Sequence, residues 1–460
     1  MITLTLRDSL HSLRLWLASI VVFLAVGFSA ALLAFVYVAI TAGQHAGMFT
    51  GDAVEGAWSV WGTHVGLTVF VGLVAISGAL RQIFDERSEL LARLALAGAS
   101  PVQCTAMLNV QAAIVAAFGT IVGSFAAWWA TGPVCRWFTS QLRLNGTPVP
   151  YYSTHALWSA VICVLGVAML ASTRRAWLQL KLTPVQQVQL WRNPKPRRIR
   201  WFRALCVVLI GTGLIAMVWT TVSATRSGRM QMSPDYFLSG AMGVSMWAAC
   251  AIITAAPWIT IGLLRLAAHC VPEGSVIWLA LRALIDRPDS TLSAINPMAL
   301  SIALPFGVLA PAWTFAEALI SKNGAASTVN ADGASLLTIC ALPLLIAVST
   351  SLMSLAISAR RQRASMRTIS LAGATPFQQI HVQIAHALIV VCVAVLEAAV
   401  AVGVGVGWCA EMMTPMFGRS VPVFPLRDIV ISGCLLLVVC VICELVCVLP
   451  ACRRLPAVER

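Results

Sequence analysis

The stretch "LAGASPVQ" fills residues 96–103, and "LAGATPFQ" fills residues 371–378. Six of the eight positions are identical, and an offset of 275 residues relates the two. Each copy sets Gly and Pro among small side chains, a composition that lets a chain turn sharply and approach another backbone closely. The offset also works elsewhere. Arg7 maps onto Arg282, each in a short amphipathic stretch ahead of an apolar run, "LTLRDSLHSLRLWL" and "WLALRALIDRPDSTL". "AAIV" at 112–115 maps onto "ALIV" at 387–390. A fixed period of this kind marks an internal repeat, and the repeat fixes the architecture.

The repeating unit is written for lipid. The chain of 460 residues is 59% hydrophobic and 10% charged, with a mean hydropathy of +0.86. Soluble domains carry roughly 25% charged residues. Runs of about 20 apolar residues span the hydrocarbon layer as helices. Ten such runs are read at 14–41, 60–81, 105–131, 155–172, 201–223, 238–266, 293–319, 336–358, 382–410 and 428–450. No alternating barrel pattern occurs, and a helix satisfies its own backbone polar groups in lipid. The first run is too long for a cleaved signal and is expected to stay as an anchor. The expected fold is therefore an all-α polytopic membrane protein. Two parallel four-helix repeats, spans one to four and seven to ten, are joined by a two-helix insert. The corresponding boundaries are 1–190, 191–275 and 276–460.

Charge orients the chain. With the N-terminus inside, only Arg136, Arg143, Arg226, Arg229, Lys322, Arg419 and Arg427 of the 31 basic residues fall outside. Such a bias is the positive-inside signature and puts both termini in the cytoplasm. Topology thus accounts for the net charge of +14, and nucleic-acid binding has no place in the reading. The basic run "RNPKPRRIRWFR" at 192–203 reads as a topology and anionic-lipid anchor. Trp58, Trp61, Trp128, Trp129, Trp137, Trp158 and Trp408 fall at the proposed outer ends, as an interfacial belt would.

On the cytoplasmic side, "RQIFDERSELLARLALAGASP" reads as a helix leaving the membrane and stopping at Gly98 and Pro101. Its counterpart is "RRQRASMRTISLAGATP". Each is a stalk, about 81–100 and 359–375, with a turn at its tip. The stalk charges singled out are Arg87, Glu89, Arg93, Arg363 and Arg367. Asp85, Glu86 and Glu89 have no acidic match in the second stalk. Two tips at equivalent cytoplasmic places suit a partner present in two copies. Spacing alone is equally compatible with an ordinary helix–helix turn inherited by duplication.

Resemblance separates those readings. A charged stalk, a leucine-rich turn, "LAGAS-P-x-Q" and a long Gly-containing span resemble the permease domain of the FtsX/MacB family of ABC transporters. "STRRAWLQLKLTPVQQV" at 172–188 and "ACRRLPAVER" at 451–460 resemble that domain's ending, and "ALRALIDRPDST" its pre-membrane helix. The ten-span layout is similar to permeases of the bacitracin-efflux type. It departs from them in lacking a large extracellular domain between spans seven and eight. The resemblance implies that Leu96, Ala97, Gly98, Ala99, Ser100 and Pro101 dock one nucleotide-binding subunit. Leu371, Ala372, Gly373, Ala374, Thr375 and Pro376 would dock a second. ATP and Mg would sit on those partners, with no cofactor on this chain. The three lysines, Lys181, Lys195 and Lys322, lie outside any Gly-Lys-Ser/Thr context, so the chain itself is not expected to be an ATPase.

Other residues carry weaker signals. Glu397 near mid-membrane, Glu317 near the outer end of span seven and Glu444 in span ten are costly intramembrane carboxylates. One reading of Glu397 is a site for a cationic amphiphile or a proton-linked step; the other is a hydrogen-bonded carboxyl holding helices together. Pro305 and Pro311 predict a kinked or opened seventh span. "GTIVG" at 119–123 and "GVGVG" at 403–407 read as packing motifs. "CVICELVC" at 440–447 reads as buried thiols without metal. The expected function is a permease subunit in the bacterial cytoplasmic membrane that exports or removes an amphiphile such as an antimicrobial peptide, antibiotic or lipid. A cargo-free mechanotransmission device and an ion-coupled secondary transporter are the rival readings.

Overall fold

The computed structural model describes residues 13–47, 52–96, 98–141, 153–180, 199–227, 234–286, 288–323, 341–357, 373, 375–417 and 422–453. Every regular element among them is a helix. In chain order these are α1 (Leu13–His45), α2 (Asp52–Leu96), α3 (Pro101–Gln141), α4 (Thr154–Leu180), α5 (Ile199–Arg226), α6 (Pro234–Cys270), α7 (Val276–Asp286) and α8 (Pro288–Asn323). They continue with α9 (Ala341–Ile357), α10 (Pro376–Phe417) and α11 (Leu426–Arg453). Eight contain segments long and apolar enough to cross a membrane: 19–45, 64–84, 102–136, 154–173, 204–223, 243–270, 291–320 and 377–414. The predicted eighth run falls on α9, which is shorter than these, and the tenth lies within α11.

Contacts divide the chain into two compact units, residues 1–195 with 341–357, and residues 196–340 with 358–460. These units do not follow the sequence repeats. Helix α9, from the second repeat, packs with the first unit, and the insert helices α5 and α6 pack with the second.

In the first unit α1 packs most extensively on α3, and glycine makes that approach feasible. A methyl carbon added at Gly119 would stand 2.7 Å from Phe23 Cβ and 3.0 Å from the Ile20 carbonyl oxygen. At Gly123 it would meet the Leu24 carbonyl and lie 2.8 Å from the Phe28 nitrogen. Gly27 answers from α1, its added carbon 2.6 Å from Thr120 Cα. Without a hydrophobic drive between helices in lipid, such close backbone packing carries association. Helix α9 joins through Gln82 Nε2, which donates to Ser354 Oγ at 2.6 Å. Tyr37, Trp58 and Trp61 form one aromatic cluster with ring centroids 5.2–5.6 Å apart, and Trp61 Nε1 donates to the Leu33 carbonyl.

In the second unit α8 is the central helix, with 89% of its membrane window buried. It runs unbroken through Pro297, Pro305 and Pro311. Of the expected kink or opening, the opening is not found: the helix is continuous, with neighbours packed on nearly every side. Helices α6 and α10 flank it. Ser245 on α6 meets both: Cβ positions built at Gly307 and Gly405 would lie 3.1 Å and 3.0 Å from Ser245 Cβ. So Gly405, the middle glycine of "GVGVG", makes the close approach, whereas Gly407 faces open space. Trp408 also departs from the expected belt. It is buried, its indole N–H donates to Thr221 Oγ1 at 2.9 Å, and Gly240 leaves room for its ring. By contrast, Trp129 and Trp158 are exposed as the belt reading requires.

Candidate functional site

The first tip is a stop-and-restart device made from eight residues. Leu96 is the last residue of α2. Gly98 then adopts φ +90°, a left-handed value that a side chain disfavours. Ala99 N–H donates to the Leu94 carbonyl at 3.0 Å, the six-to-one closure of a Schellman cap. Ser100 is the next N-cap: Gln103 N–H donates to Ser100 Oγ at 3.3 Å, and Ser100 N–H to Gln103 Oε1 at 3.0 Å. Pro101 occupies the first helical position of α3, where its missing N–H has no partner to lose. This is a capping box.

The second tip repeats the device. Gly373 has φ +93°. Gln378 N–H donates to Thr375 Oγ1 at 3.3 Å, and Thr375 N–H to Gln378 Oε1 at 3.0 Å. Pro376 opens α10. The two differing positions therefore split cleanly. Ser100 and Thr375 are interchangeable caps, while Val102 and Phe377 are each 69% exposed. Sequence reasoning passed over that apolar pair; the signal was a larger hydrophobe right after the proline of a turn built from small residues. Phe377 stacks on His381 with centroids 4.2 Å apart, and His381 Nδ1 donates to the Phe377 carbonyl at 2.8 Å. Ala97, Leu371, Ala372, Ala374, Arg363 and Arg367 lie outside the described residues, as do the side chains of Glu89 and Arg93.

Arg87 of the stalk is buried at 4% exposure. Its Nη1 donates to Gln111 Oε1 on α3 at 2.8 Å. A buried guanidinium needs such acceptors, so this contact ties the stalk's base to the helix that follows the tip.

Glu397 and Glu317 do not converge. Glu397 on α10 is 4% exposed and accepts a short hydrogen bond from Thr260 Oγ1 on α6. Its Oε2 has no partner among the described residues. A cavity of about 10 Å³, lined by Ile252, Ile253, Leu300 and alanines of α6, α8 and α10, adjoins it. That volume is at the lower limit for one water and far below the several hundred Å³ of a drug-sized site. Glu317 is exposed and stands about 21 Å along α8 from Ala303, at 1.5 Å per residue. The Glu444 side chain lies outside the described residues.

No curated protein matches the chain. FtsX-like permeases are transporter components that generally partner with ABC ATPase subunits. The family described as FtsX-like permease C-terminal matches residues 62–184, which take in most of α2, the first tip, α3 and α4, and this supports an FtsX/MacB-type ABC permease.

Proposed function

We propose that the chain is the membrane-spanning subunit of an ABC transporter, coupled to two separate nucleotide-binding subunits. The observation that carries this is the FtsX-like match across the first tip, together with the second tip's identical capping geometry. One nucleotide-binding subunit docks at residues 96–101 and another at 371–376, with ATP and Mg held by those partners. Val102 and Phe377 supply apolar anchors beside the tips. The stalks, with Arg87, Glu89, Arg93, Arg363 and Arg367, transmit closure of the subunits to the spans. Ten spans in two parallel repeats with both termini cytoplasmic is the topology this requires, and the lysine and arginine bias supports it.

The cargo is an amphiphile, an antimicrobial peptide, antibiotic or lipid, taken from the outer leaflet. Short outer links support that reading, because they leave no room for a folded recognition domain of about 50 residues. The chamber at Glu397 is too small for such a molecule, so in this conformation Glu397 serves helix packing rather than cargo. Native mass spectrometry of the chain extracted gently from its own membrane tests the proposal. Two copies of a P-loop ATPase per chain are expected. A chain that is alone or only self-associated would overturn the assignment.

A further inference from the structure

Helix α7 lies in the link between two membrane-crossing segments, 243–270 and 291–320, and therefore at a bilayer surface. It is held firmly. Gly274 takes φ +84°, and Ser275 Oγ caps the helix by accepting from Trp278 N–H at 3.2 Å. Thr291 Oγ1 donates to the Leu284 carbonyl at 2.8 Å at the other end. Ala280, Leu281 and Leu284 are buried against α6, α8 and α10. The remaining surface is unusual for a helix so anchored. Ile277 and Leu279 are 50% and 40% exposed. Arg282 is exposed, with its guanidinium 5.3 Å above the Trp278 ring. Among the described residues it makes no ion pair, although Asp286 follows one turn later. Arg265 and His269 are exposed at the end of α6, the helix leading into this link.

We propose that this surface binds the headgroup of an anionic phospholipid, with Arg282 as the phosphate ligand. The cation–π contact with Trp278 restrains the guanidinium while leaving N–H groups available, so less freedom is lost when a phosphate arrives. Leu279, on the same side of the helix as Arg282, offers apolar surface to the acyl region, and Trp278 suits the interface between the two environments. Arg265 extends the field that attracts an anionic leaflet. A lipid, rather than a soluble anion, is selected because Trp278 and Leu279 lie within about 60° of Arg282 around the helix, so apolar and cationic groups meet on one face at the membrane surface. The inference requires that α6 and α8 cross a bilayer and does not depend on the identity of any ATPase partner.

The test uses the full chain reconstituted in nanodiscs of phosphatidylcholine with increasing phosphatidylglycerol, followed by native mass spectrometry of retained lipid. Wild type should retain phosphatidylglycerol over phosphatidylcholine. Arg282→Gln should weaken retention about fivefold, the effect of one basic residue at an anionic surface. Arg282→Lys should fall between, since it keeps charge and loses the fork. Arg427→Gln removes one charge elsewhere in the same unit and should leave retention unchanged. Equal losses in both glutamine variants would overturn the proposal by making the effect nonspecific. Displacement of the lipid by millimolar inorganic phosphate would also overturn it, since the site would then read a bare anion. Circular dichroism of Arg282→Gln checks the fold, and Trp278→Leu gives a second route to the same loss should that variant fail.

Discussion

Thr260 of α6 donates its hydroxyl hydrogen to Glu397 of α10, and both side chains are buried. This bond joins two helices in the interior of the second unit, where a carboxyl lacking partners is expensive. Thr260→Val keeps the shape and removes the donor, so it should destabilise the chain by about 1–3 kcal/mol. Glu397→Gln keeps an acceptor for Thr260 and should be clearly milder. Thermal unfolding of the purified chain in detergent reads both. A Thr260→Val chain as stable as wild type would remove the packing role assigned to Glu397.

The middle glycine of "GVGVG" gives a sharper contrast. An added methyl at Gly405 would collide with Ser245 and lie 3.3 Å from the Ala241 carbonyl, whereas at Gly407 nothing lies within 4 Å. Overpacking of this kind costs about 1–3 kcal/mol. Gly405→Ala should therefore lower the unfolding temperature, and Gly407→Ala should leave it unchanged or raise it slightly through better helix propensity. The same experiment in the first unit predicts that Gly123→Ala is more damaging than Gly166→Ala, whose position is open.

Much of the membrane architecture was legible because lipid imposes one rule on every residue in a span. Apolar runs at 105–131 and 293–319 coincide with the apolar helical segments 102–136 and 291–320, whose ends differ by five residues or fewer. The turn at 96–103 was legible too, since Gly98, Ser100, Pro101 and Gln103 each answer a local backbone demand. Packing partners were not legible. Nothing local tells α9 to pack with the first unit through Ser354 and Gln82, because that pairing spans 272 residues. Trp408 was misplaced for the same reason. An indole near a span's end looks interfacial until Thr221, far away in sequence, supplies the acceptor. Pro305 and Pro311 predicted a kinked or opened helix from their own chemistry; α8 is not opened, and tertiary contacts on nearly every side accompany its continuity.

The tips separate turn-making from docking. Ser100→Ala and Thr375→Ala each remove a cap and should cost about 1 kcal/mol. Gly98→Ala forces a side chain into a left-handed backbone and should cost about 1–2 kcal/mol. These losses follow from local structure whatever binds, and they are read as unfolding temperature in the isolated chain.

Val102 and Phe377 test docking itself. Each is 69% exposed, so replacing it with Asp removes little internal packing, and surface changes usually stay within about 0.5 kcal/mol. If the tips hold nucleotide-binding subunits, Val102→Asp and Phe377→Asp should each release one subunit from the co-purified complex while leaving the unfolding temperature of the chain unchanged. The double variant should release both. The larger effect is expected at Phe377, because an aromatic anchor buries more area than valine and the ring is already fixed against His381. Retention of both subunits by the double variant, at unaltered stability, would mean that these apolar side chains do not contribute to docking and that the partner reads only the backbone of the turn.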